Sequence, residues 1–133
     1  MNKVKGVISG IEVSGSLSLV SVHCGRIVLK SIIIDTPDTL DYLVQGADVE
    51  LLFKETEVVI AKPGPLDISL QNRIPATVFS IAKGELLSSL VLKSELGKLE
   101  SIISTAAVMQ LKLEPGTAVQ AMVKLNEMML SPC

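Results

Sequence analysis

Three groups of residues in this 133-residue chain have types and spacing that could do chemistry together. They are Ser104 with Thr105, Lys124 with Asn126, and Ser69 with Gln71 and Asn72. All carry hydrogen-bond donors. A tetrahedral dianion with four acceptor oxygens is held by such donors more than by net charge. The pattern puts Ser104 or Thr105 at the start of a short helix, where free backbone N–H groups and the positive end of the dipole gather. Lys124 and Asn126 follow a strand, and residues 69–72 open one. From spacing alone a plainer reading stands beside this one: a hydroxyl that caps a helix, and a solvated lysine at a strand end.

Catalytic chemistry finds little to work with. The single histidine, His23, adjoins Cys24, and neighbours on a strand point to opposite faces, so the two make a poor nucleophile–base pair. Asp35, Asp38 and Asp41 are read as solvated charge at a helix N-terminus rather than as an acid–base pair. No His, Cys, Asp and Glu set has metal-ligand spacing, and no glycine-rich loop has phosphate-cradling spacing. An enzyme is not expected.

Charge and composition exclude further classes. Twelve Lys and Arg against 14 Asp and Glu leave a net charge of -2, where a polyanion binder needs clustered cations. Aromatic residues are 2% of the chain (Tyr42, Phe53 and Phe79), so base-stacking platforms are missing. Mean hydropathy is +0.52, yet no apolar run approaches the roughly 18 to 20 residues of a membrane span. Cys24 and Cys133 lack a Cys-x-x-Cys spacing and fit a reduced compartment. These features predict a cytoplasmic protein with neither nucleic-acid binding nor membrane insertion.

The elements that must position the donor residues come in two copies. Sliding the chain on itself by about 70 residues aligns Asn2 with Asn72, Leu17-Ser18 with Leu87-Ser88 and Ser31-Ile32-Ile33 with Ser101-Ile102-Ile103. The same shift places Gly46 on Gly116, Val49 on Val119, Lys54 on Lys124 and Glu57 on Glu127. The predicted organisation is a first repeat over 1–62, a linker over 63–68 containing Pro63-Gly64-Pro65, and a second repeat over 69–133.

Each copy reads as five strands. The apolar phase flips within residues 16–22, which predicts a bulge there. Residues 26–34 and 98–103, 49–53 and 119–123, and 58–60 and 128–130 supply the later strands. A short helix is expected before the fourth strand: after Thr36-Pro37-Asp38 in copy one, and from Ala106 to about Leu111 in copy two. The predicted fold is all-β with short helices, as two tandem OB-like five-stranded barrels.

The run Ile68-Ser69-Leu70-Gln71-Asn72-Arg73 resembles the Ser-Ala-Arg-Asn or Ser-Ile-x-Asn opening of Mop (molybdate-binding, TOBE-type) domains. Ile103-Ser104-Thr105-Ala106-Ala107 resembles their Ile-Thr-x-x-Ser element. The stretch from Leu111 through Val119 is similar to Leu-x-Leu-x-x-Gly-x-x-Val, and Val123-Lys124-Leu125-Asn126 stands where the family has Ile-Lys-Ala-Ser. The resemblance implies tandem OB-like domains in homo-oligomers that bind molybdate or tungstate between subunits. No organic cofactor is implied. Freestanding members, the molbindins, store or buffer the oxyanion in the cytoplasm; fused members regulate transcription or end the ATPase subunit of molybdate ABC transporters. Without a nucleotide-binding or DNA-binding domain in this sequence, a freestanding protein is expected.

Carried over residue by residue, the implied oxyanion ligands are Ser69, Gln71, Asn72, Ser104, Thr105, Lys124 and Asn126, with Lys54 and Thr56 as their counterparts in copy one. Gln71, Ala107 and Asn126 depart from the family's Arg, Ser and Ser. Asp35 and Asp38 would repel a dianion where copy two offers Ser104 and Thr105. Copy two is therefore the expected binding copy. The alternative is a docking module acting with a transporter ATPase, through a sheet edge or a surface of Met122, Met128 and Met129.

Overall fold

A computed structural model describes all of residues 1–133. The chain forms strands β1 (Asn2–Ser14), β2 (Leu17–Cys24), β3 (Ile27–Ile33), β4 (Asp48–Phe53) and β5 (Val59–Ala61). It continues with β6 (Asn72–Lys83), β7 (Leu87–Ser94), β8 (Gly97–Ser104), helix α1 (Thr105–Gln110), β9 (Ala118–Val123) and β10 (Met129–Pro132). Single 3-10 turns occupy Glu55–Glu57 and Leu125–Glu127.

The strands build two five-stranded antiparallel sheets, ordered β10-β4-β1-β2-β3 and β5-β9-β6-β7-β8. The sequence predicts five strands from each copy in one unit; the structure instead exchanges the fifth. β5 of copy one pairs with β9, and β10 of copy two pairs with β4. Both copies present the same kind of edge, and the turn after β4 or β9 carries the chain out of its own sheet. The outer strands β3 and β10, and likewise β8 and β5, come close without forming a ladder, so the sheets stay open there.

The long first strand of each copy is what curls its sheet. Residues Asn2–Val7 of β1 pair with β4, and Val7–Ser14 pair with β2. A bulge lies between Ile8 and Gly10, and its twin lies between Val78 and Ser80 in β6. An unpaired residue bends and twists a strand, which lets it serve two neighbours. The bulge expected within residues 16–22 is therefore absent from β2. That strand keeps one phase, with Ser18, Val20, Val22 and Cys24 all buried. Ser18 can occupy the inner face because its hydroxyl donates to the carbonyl of Asp35.

The helix expected after Thr36 in copy one does not form. Thr39 and Leu40 N–H groups both reach the Thr36 carbonyl, at 2.9 and 3.0 Å, and the chain then continues as turns. Asp38, Thr39 and Asp41 are poor helix formers, and one turn without propagation is not stable by itself. In copy two, Ser104 Oγ accepts the Ala107 N–H at 3.0 Å and α1 runs six residues.

The two sheets share one contiguous core that includes Val4, Leu29, Phe53, Ile74, Leu92 and Leu99. Val58 and Met128, which flank the exchanged strands, belong to it, so each copy caps the other's interior. Burying side chains of this size contributes about 1.5 to 3 kcal/mol each. No buried side-chain nitrogen or oxygen lacks a partner, and no helix is long and apolar enough to cross a membrane.

Candidate functional site

Two equivalent frames hold the candidate ligands, and each is built from both copies. In one, Asn72 pairs with Val123 where β6 begins and β9 ends, so Gln71 and Lys124 extend beyond the ladder side by side. The buried Asn72 amide crosses to the other sheet: Oδ1 accepts the Lys30 N–H at 2.7 Å, and Nδ2 donates to the Lys30 carbonyl at 2.8 Å. The turn holding Asn126 packs on β3, where Ser31 Oγ donates to the Met128 carbonyl at 2.6 Å.

The other frame repeats this around Lys54 and Thr56. Asn2 pairs with Phe53, and its amide brackets the backbone of Glu100, both bonds 2.8 Å. The turn holding Thr56 packs on β8, where Ser101 Oγ donates to the Val58 carbonyl at 3.1 Å. Lys54, Thr56, Lys124 and Asn126 are all exposed.

Ser104 and Thr105 stand elsewhere. Ser104 pairs with Leu87, beside the Lys83–Ser88 pair that ends β6, whereas Lys124 lies past its beginning. One chain therefore brings Gln71 and Asn72 to Lys124 and Asn126 but leaves Ser104 and Thr105 at the far end of β6. Thr105 is already committed: its hydroxyl donates to the Gly84 carbonyl and meets Ser88 Oγ, both at 2.8 Å, and its N–H reaches the Leu86 carbonyl. Ser104 is exposed, and while its oxygen caps α1 its own proton stays free to donate.

Two residues in the Lys124 frame escaped the reading from sequence. Arg73 points its guanidinium at backbone: Nε donates to the Leu70 carbonyl at 2.9 Å, and Nη2 to those of Leu66 and Ile68 at 3.3 Å. It thereby fixes the segment that carries Ser69. Lys30 is the other, and its sequence signal was the position opposite Glu100 in the internal repeat.

The remaining chemistry-bearing groups are structural. Cys24 is fully buried, and burial pushes its thiol up to about 11; its neighbour His23 is exposed on the opposite face. No three His, Cys, Asp or Glu side chains gather to hold a metal. Met122 and Met128 are buried, leaving Met129 alone of the three methionines that a docking surface would have used.

The architecture is that of a tandem β protein in which two similarly built halves complete each other's sheets. Residues 68–130, nearly all of copy two, match the TOBE domain family. Among solved structures, it is similar over 99% of its length to the cytoplasmic molybdate-binding protein ModG, crystallised with molybdate bound. That match covers 96% of the ModG chain with a TM-score of 0.92 and 23% identity. A molybdate-binding protein from Sporomusa ovata matches at 36% identity over 44% of this chain and 88% of its own, with a TM-score of 0.43. No curated protein matches the chain.

Proposed function

We propose that this protein binds a tetrahedral oxyanion of the molybdate or tungstate class, reversibly and without making or breaking a bond. The observation that carries the reading is the Lys124 frame within the TOBE match. There a family-matched segment sets Lys124, Asn126 and Gln71 at one exposed strand end, held by a buried asparagine bracket. Lys124 supplies charge, and Gln71, Asn126 and Ser69 supply neutral donors. Asn72, its amide already engaged, positions the frame, as Thr105 positions α1. Lys54 and Thr56 form the counterpart. The likeness to ModG in fold supports storage, buffering or sensing of the oxyanion in the cytoplasm.

The units are OB-like, incompletely closed five-stranded barrels over 1–62 and 69–133 joined by a linker over 63–68, each finished by the other's last strand. Because Ser104 and Lys124 lie at opposite ends of β6, Ser104 joins the anion through a second copy of the chain, in a homo-oligomer with sites between subunits. Isothermal titration with molybdate, then tungstate, with sulfate as control, tests the reading. Micromolar or tighter binding that excludes sulfate supports it, and no heat with either metal oxyanion refutes it. Light scattering after size exclusion tests the assembly, and a strict monomer overturns the shared site.

A further inference from the structure

The two frames share a backbone but not a charge. Asn72 brackets Lys30 in one and Asn2 brackets Glu100 in the other, through the same pair of backbone bonds. A cation thus stands on the strand beside the Lys124 turn, and a carboxylate stands at the same place beside the Lys54 turn. The neighbours deepen the contrast. The Lys54 turn carries Glu55 and Glu57, and Glu57 folds back so that its Oε1 accepts the Lys54 N–H at 2.9 Å. In the Lys124 turn Leu125 replaces Glu55, and Glu127 makes no such bond.

Compensating charges are present on both sides. Glu100 lies 3.5 Å from Lys98 in an exposed pair, and Glu55 holds the Met1 amino group. Exposed pairs of this kind are weak and screened, so they blunt the acidic side without reversing it. Asp35 follows the end of β3, five residues past Lys30, where its Oδ1 accepts the Thr39 hydroxyl at 3.3 Å.

We infer that residues 30 and 100 set which frame binds: the chain takes one oxyanion, at the Lys124 frame beside Lys30, and Glu100 keeps the Lys54 frame empty. This rests on the oxyanion reading above. It adds the stoichiometry and names the residues that decide it. Both residues are bracketed through their backbones, so changing either side chain leaves the link between the sheets in place.

The test is titration of the full chain with molybdate, comparing wild type with Lys30→Glu, Lys30→Gln and Glu100→Lys. Thermal melts confirm that each variant is folded. The expected results are one site per chain in wild type, affinity lower by about tenfold or more in Lys30→Glu, and a smaller loss in Lys30→Gln. Glu100→Lys is expected to raise the stoichiometry to two. Two equal sites in wild type, unchanged affinity in both Lys30 variants, or a single site in Glu100→Lys would each overturn the inference. Wild type giving no heat refutes the oxyanion reading itself, whereas binding without these differences refutes only the assignment to residues 30 and 100.

Discussion

Asn72 holds Lys30 by both of its backbone groups, at 2.7 and 2.8 Å, so one side chain acts as a rung between two sheets that share no ladder. Asn2 does the same to Glu100. β3 and β8 are edge strands, whose outward N–H and C=O groups are open to such a partner. The asparagine that opens each copy is therefore an architectural residue that also fixes where the following turn meets the opposite strand.

Replacing Asn72 with alanine removes two buried hydrogen bonds and strands the Lys30 backbone groups. The expected cost is about 2 to 4 kcal/mol in urea unfolding. Asn72→Asp should be no milder, because an acceptor would then face the Lys30 carbonyl. A loss below 0.5 kcal/mol, at the ordinary level of surface changes, would remove the bracket from the argument.

Lys124→Ala should leave the melting temperature nearly unchanged, since the side chain is exposed and makes no capping bond to its turn. Molybdate affinity should fall by roughly tenfold to a hundredfold, the worth of one charge-assisted hydrogen bond. Equal affinity for variant and wild type would move the site away from this turn.

Truncation after Met128 deletes β10 and uncovers the edge of β4, along with its ladder from Met129↔Leu52 to Pro132↔Val49. The shortened protein should unfold at lower urea and self-associate through the bare edge. If instead it matches the full chain in both respects, the strand exchange is dispensable.

Gly6 sits where β1 passes from β4 to β2. A Cβ there would stand 2.6 Å from the His23 carbonyl oxygen and from Val22 Cγ1. Backbone cannot yield as a side chain can, so Gly6→Ala should destabilise by about 1 to 3 kcal/mol. Calorimetry reads this directly, and a neutral result would mean that the β1–β2 approach is looser than described.

The Cys24 thiol, raised by burial from its ordinary 9.0 to about 11, gives a pH signature. Between these values the unfolded chain has released its proton while the folded chain still holds it. Stability contributed by the neutral thiol is thus full below pH 9 and is lost as pH rises toward 11. Thiol titration of native protein at pH 8 should find Cys133, which is exposed, and reach Cys24 only after denaturant is added.

The sequence by itself determined the repeat, the strand content and a capped helix start at Ser104 or Thr105 in copy two, of which the structure selects Ser104. These follow from local periodicity, turn residues and identities carried along one chain. It misread β2 because Leu17 and Leu19 look like core residues, whereas the inner face belongs to Ser18, whose hydroxyl finds a carbonyl that only the folded chain supplies. The predicted copy-one helix failed for the same kind of reason: its cap and proline were legible, but the tertiary support that propagates a short helix was not.

Tertiary structure alone decided which strand completes which sheet. Val59–Ala61 and Met129–Pro132 meet edges of the same kind, and local sequence cannot rank two such pairings. That choice carries the site with it. Once the last strands cross over, the turn after Lys124 packs on β3, next to Lys30 of the other copy, while the distance from Ser104 is set by the β6, β7 and β9 ladders within copy two. The residue bracketed beside each turn therefore comes from the other copy, dozens of positions away in sequence.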